Sequence, residues 1–244
     1  MNNLTPDYYD QDTTAGGGVF AIDAIASERA TFIRKTYMHL AGAILAFMGL
    51  ESIILSTPEL RDPILSAFTG NMWLVLIAFM GASWIASSMA SSAKSLGTQY
   101  AGLGLYIVAE ALIFVPILYI AKEFSNPTVI PVAAIITLCI FGGLTAYVFV
   151  TGANFSYLGG GLTIAMLAAI GIAIGGAIFG FSLGIWFAGA MVLLMSGFIL
   201  YETSNVLHQY STDQYVSASL ALFASVATLF WYVLRIVMMF SSDD

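Results

Sequence analysis

The chain contains a succession of apolar runs, each close to the ~20 residues that a helix needs to cross a bilayer, with only short polar gaps between them. The runs lie at about 36–56, 72–93, 98–121, 128–150, 158–181, 183–201 and 215–240. No soluble domain fits in the gaps. A soluble fold of 244 residues with 59% hydrophobic and 9% charged residues would also lack the charge to cover its surface. The expected fold is therefore all-α: a polytopic membrane protein whose residues 31–244 form a seven-transmembrane-helix bundle. Residues 1–30 are polar and Gly-containing, carry Asp7, Asp10, Asp12 and Asp23, and lack a basic start before an apolar core. They are expected to be a mobile acidic tail and not a signal peptide.

Charge placement sets an expected orientation. Arg29, Arg34, Lys35 and Lys94 fall on the amino-terminal side of a seven-span chain, against Arg61, Lys122 and Arg235 on the other. The cluster before the first span points to a cytoplasmic amino terminus. The net charge of −7 does not suggest nucleic acid as a partner, since a phosphate-binding surface needs an extended basic patch. Cys139 is the only cysteine, so an internal disulfide is excluded. There is no HExxH, GxSxG or P-loop, and no Cys/His pair at suggestive spacing; catalytic residues, cofactors and metal ligands are all expected to be absent.

Small residues at helical spacing mark expected packing faces. Ser83, Ser87 and Ser91 recur every four residues and share one side of the second span. Gly171 with Gly175, and Gly176 with Gly180, form two GxxxG pairs in the fifth. Pro116 is expected to kink the third span.

Ionisable residues in the spans carry most of the functional information, because a charge in hydrocarbon is costly without a partner or water. Glu202 closes the sixth run, with His208 and Asp213 following in a polar turn and Lys94 and His39 at the same level. It either reaches interfacial water or is a buried acid whose charge depends on a neighbouring cation. Glu110 is mid-span and is expected to face the bundle interior. Glu51 and Arg235 belong near the far side, as a structural ion pair or as independently snorkelling groups. His39 and His208 lack metal-ligand spacing and suit hydrogen-bonded structural roles.

The stretches LYETSNVLH at 200–208, TDQYVSASLALFASVATLFWYVLRI after it, and FSYLGG at 155–160 resemble the Bax-inhibitor, or transmembrane Bax inhibitor motif, family, in particular its bacterial YccA-like branch. The resemblance implies seven spans, a bacterial inner-membrane location with a cytoplasmic amino terminus, and non-enzymatic modulation of the membrane protease FtsH. The alternative it implies is a pH-responsive calcium or cation leak. In relatives of that kind an acid in the sixth span pairs with one in the seventh; Glu202 matches the first position and Ser225 stands at the second. Two close carboxylates share a proton, whereas a carboxylate and a serine hydroxyl only hydrogen-bond. The substitution therefore favours the interaction role over the channel role, with Glu202, Ser225, Glu110, His39, His208 and Lys94 as candidate proton-sensing or partner residues.

Overall fold

A computed structural model describes residues 19–92 and 95–241. Seven long helices follow one another: α1 (Ala26–Ser56), α2 (Pro58–Ala90), α3 (Leu96–Phe124), α4 (Val129–Thr151), α5 (Gly159–Phe179), α6 (Ile185–His208) and α7 (Tyr215–Ser241). Each is long and apolar enough to span a membrane, so this is a multi-pass membrane protein with the expected all-α architecture. Large apolar side chains such as Trp84, Leu193 and Trp186 project from the outer face, where lipid would meet them.

The helix ends follow local chemistry. Pro58 opens α2, at a position where its missing N–H would be unpaired anyway. Ser95 caps α3 by accepting from the Thr98 N–H at 3.1 Å. Gly152 and Gly180 stop α4 and α5 at φ of 61° and 74°, the left-handed conformation that a glycine adopts without strain. The helices also outrun the apolar stretches that reveal them. α1 begins at Ala26 and so takes in Arg29, Arg34 and Lys35; α6 runs on to His208, which is helical and not part of a turn.

In the centre, α1, α3 and α7 meet through interlocked rings. Phe114 packs edge-on against Phe47 at 5.0 Å and Trp231 at 4.9 Å between ring centres, and Phe223 lies 6.0 Å from Phe47. The tightest backbone approach is between α2 and α3. A Cβ on Gly102 would sit 2.6 Å from both the Ala86 carbonyl oxygen and the Ala90 nitrogen, so only glycine fits.

The two GxxxG pairs do not seat a neighbouring helix. Gly180 is the α5 cap, Gly171 faces open space, and Gly175 and Gly176 lie against Phe181 and Leu183 of the α5–α6 turn. α5 instead approaches α6 where Leu162 enters the space above Gly197, 2.8 Å from where a Cβ would be. Of the serine stripe, Ser91 bonds Ser217 of α7 at 3.0 Å and Ser87 borders an internal cavity, while the buried Ser83 hydroxyl has no hydrogen-bond partner. The departure from helical backbone falls at Asn71 in α2 (φ −148°, ψ 54°), and α3 runs unbroken through Pro116.

Gly102→Leu should therefore lower the thermal midpoint of the purified protein, by the equivalent of about 1–3 kcal/mol or more. Gly104→Leu, on the open side of the same helix, should leave it nearly unchanged.

Candidate functional site

The last two turns of α6 are fixed by the loop that precedes α5. The Phe155 N–H donates to Ser204 Oγ at 2.8 Å, and Ser156 Oγ donates to Asn205 Oδ1 at 3.2 Å. Gly159 lies flat on the Tyr201 ring, 2.8 Å from where its Cβ would be. The two sequence stretches FSYLGG and LYETSN are thus one contact surface. Asn205 also hydrogen-bonds the Glu202 carboxylate, so the docked face of α6 reaches the acid directly.

Glu202 faces a cavity of about 390 Å³ between α2, α3, α5, α6 and α7, with Met166 contributed by α5. Ser87, Tyr106, Tyr210, Ser217 and Ser225 also line it. Ser225, the position that the resemblance pairs with Glu202, shares this chamber with it, and among the described residues no second carboxylate lines it. The Tyr210 hydroxyl donates to Glu202 Oε2 at 3.5 Å. Burial, reinforced by the Glu202 charge, pushes the Tyr210 phenol up, so it stays protonated and can only act as a donor to an ionised Glu202. Glu202 lies six residues before the end of α6, about 9 Å inside the helix end.

Residues 19–25, expected to belong to the tail, pack against this site. Ala21 is fully buried. Its N–H donates to the Tyr210 carbonyl at 2.9 Å, and the Thr212 N–H donates to the Val19 carbonyl at 3.0 Å. A two-residue antiparallel bridge, Phe20 with Ser211, thereby ties the chain ahead of α1 to the α6–α7 turn. The hydrophobic VFAIDAI run was the signal that could have suggested an ordered segment. The acidic residues Asp7, Asp10 and Asp12 lie outside the described residues, as does Lys94.

His39 and His208 do not enter the cavity. His39 bonds the Lys35 carbonyl at 2.7 Å and the Tyr100 hydroxyl at 2.8 Å, and its ring lies 5.1 Å from that of Tyr215. It pins α1 to α3 and α7, with the Lys35 ammonium 5.0 Å above the Tyr215 ring. His208 bonds back to the Ser204 carbonyl at 2.9 Å.

Glu110 is buried, as expected, fourteen residues from either end of α3, with the Tyr106 hydroxyl one turn earlier as its hydrogen-bonding neighbour. Tyr106 connects it to the Glu202 cavity. Glu51 and Arg235 form no ion pair: the Arg235 guanidinium donates to the Leu183 carbonyl, and the Glu51 carboxyl is buried without a hydrogen-bond partner instead of snorkelling. Arg235 and Glu51 face different cavities, Arg235 beside Trp231 and Met238 and Glu51 beside Phe47 and Thr137, so the pair does not meet. Among the described residues, no group of three His, Cys, Asp or Glu is placed to hold a metal ion.

Over residues 29–242 the sequence matches the family described as "Inhibitor of apoptosis-promoting Bax1". The chain belongs to the Bax-inhibitor family. It is similar to an uncharacterized protein of Pseudomonas aeruginosa, 30% identical over 91% of this chain and 96% of the relative. It is also similar to Bax inhibitor 1 of Schizosaccharomyces pombe, 28% identical over 89% and 80% of the two chains. Protein lifeguard 4 of Mus musculus is 27% identical over 85% and 84%. These matches span the whole bundle, so the family relationship covers every helix that builds the cavity.

Ser204→Ala should leave the Phe155 N–H unpaired and cost about 1–3 kcal/mol, read as a lower thermal midpoint in detergent. Tyr210→Phe, which removes a long bond at a wet cavity, should cost less than about 1 kcal/mol.

Proposed function

We propose that this protein is a slow, non-enzymatic cation leak whose mouth is the Glu202 cavity, with calcium or protons as the species that pass. The observation that carries this reading is a lone carboxylate facing a chamber lined by hydroxyls, set one or two turns inside the bundle and followed by a second buried acid, Glu110, beyond Tyr106. Hydroxyl oxygens and a carboxylate suit a hard cation that must shed part of its water. The aromatic cluster of Phe47, Phe114, Phe223 and Trp231 lies beyond as the closed barrier. The arginine and lysine cluster of α1 favours a cytoplasmic mouth, in a bacterial inner membrane for the YccA-like reading of the sequence.

With Ser225 opposite Glu202 there is no carboxylate pair to discharge. Calcium flux into proteoliposomes should therefore be slow and should vary with pH no more steeply than the loss of a single proton allows, without the two-proton switch of a coupled pair. Glu202→Gln should reduce it about tenfold, a change of roughly 1.4 kcal/mol in the barrier. Flux unchanged by Glu202→Gln would remove the cavity from the path.

A second reading, modulation of FtsH-type proteolysis, is favoured by the bridge between Phe20 and Ser211. A partner that pulls on the amino-terminal tail would pull on the turn that carries Tyr210. Deleting residues 1–18 and deleting 1–25 should both leave membrane insertion intact; both should alter protease-dependent turnover, and only the longer deletion, which removes the bridge, should alter flux. Co-purification of FtsH with the full chain, lost on the shorter deletion, would favour this reading over the leak.

A further inference from the structure

The far third of α1 carries a carboxyl that nothing in the bundle answers. Glu51 is only 4% exposed, and both its oxygens are buried without a hydrogen-bond partner. It lies five residues before the end of α1, about 8 Å inside the helix end, on the side of the bundle away from Glu202. Glu51 borders a separate cavity of about 330 Å³ formed by α1, α3, α4 and α7. That volume falls within the range of small-molecule sites, which are mostly apolar with a few placed polar groups.

The walls state what a guest must look like. Phe47, Met48, Leu118, Leu138 and Phe230 make the lining apolar, and no Lys or Arg contributes to it. Thr137 is the other polar residue present, and its hydroxyl hydrogen is already given to the Ala133 carbonyl at 2.8 Å. An ionised Glu51 and a Thr137 oxygen so engaged can only accept hydrogen bonds. A guest that both donates and carries positive charge is the one that would hold Glu51 ionised in this apolar lining.

The opening is lateral. Met48 of α1 and Leu138 of α4 both line the cavity and both are exposed on the outer face. Toward the amino-terminal end the same two helices are closed by Tyr37, whose ring lies 6.5 Å from Phe141 and 5.7 Å from Phe149. The mouth thus faces the outer, lipid-facing surface and not the Glu202 cavity.

We propose that this cavity binds an amphiphile with an alkyl chain and a protonated primary amine, the chain lying along Met48, Leu138 and Phe230 and the ammonium donating to Glu51. An aminolipid of the bilayer and a free alkylamine share this chemistry. The site is distinct from the Glu202 cavity, with which it shares no lining residue, although Phe47 of the aromatic cluster forms part of its wall.

Native mass spectrometry of the detergent-purified full chain, titrated with dodecylamine, dodecanol or dodecanoic acid, tests the assignment. Dodecylamine should bind at one per chain, about tenfold more tightly than either of the other two. Glu51→Gln should abolish the preference for the amine while leaving chain binding, and Ala134→Phe, which fills the cavity and keeps the acid, should abolish binding of all three. Equal binding of the three probes to the wild type, or an amine preference that survives in either folded variant, overturns the proposal. In nanodiscs containing phosphatidylethanolamine, lipid retained by the wild type and lost from both variants assigns the site to a membrane lipid. Retention of dodecylamine alone assigns it to free alkylamines.

Discussion

Hydrocarbon offers no water to an unpaired polar group, and the arrangement of this bundle follows from where its polar side chains find company. His39 bonds a tyrosine across two helices, Ser91 bonds Ser217, and Arg235 takes a carbonyl at a turn. Each of these ties one helix to another through a group that could not be left exposed to lipid. Between them the helices close by shape, most tightly at Gly102, because lipid tails are as apolar as leucine and give no drive to bury leucine against leucine. Polar bonds choose which helices meet, and small residues decide how near they come.

The same constraint gives the acids three different situations at three depths. Glu202 sits near the amino-terminal side in a chamber with a hydroxyl donor, Glu110 sits at mid-bundle beside a tyrosine, and Glu51 lies near the far side with no protein partner. Only the first has the company of several hydroxyls. That difference sets a candidate ion-binding mouth apart from the second acid on the same proposed path and from an amphiphile pocket.

The number and type of the helices were legible because spanning is a matter of length and composition, which hydropathy reads directly. Glu110 was legible for a related reason: an acid far from either end of a span has no interface to reach, so it turns inward. Boundaries were less so, since α1 continues ten residues beyond its apolar run through Arg29, Arg34 and Lys35, residues that favour a helix without marking one by hydropathy. Spacing misled at the GxxxG pairs, because a repeat defines a face but not which way it looks; Gly102, in no such repeat, is the glycine that a neighbour presses on. Pairing was the least legible of all. Nothing in the sequence says that Arg235 would choose a backbone carbonyl over Glu51, as that depends on how α7 is rotated against the α5–α6 turn.

The position of α5 has its own consequence for how such a bundle is assembled. α5 packs chiefly on α6 and on the short turn before it, whereas α6 is also gripped by α4 and α7. A helix with one principal neighbour contributes little to closing the rest of the bundle, so α5 is the natural last piece to dock after the others have joined. It is also the stave that the barrel would lose first. Its anchors are the pair of Gly159 on Tyr201 and Leu162 over Gly197 near one end, and at the other the α5–α6 turn, which Arg235 of α7 holds by the Leu183 carbonyl.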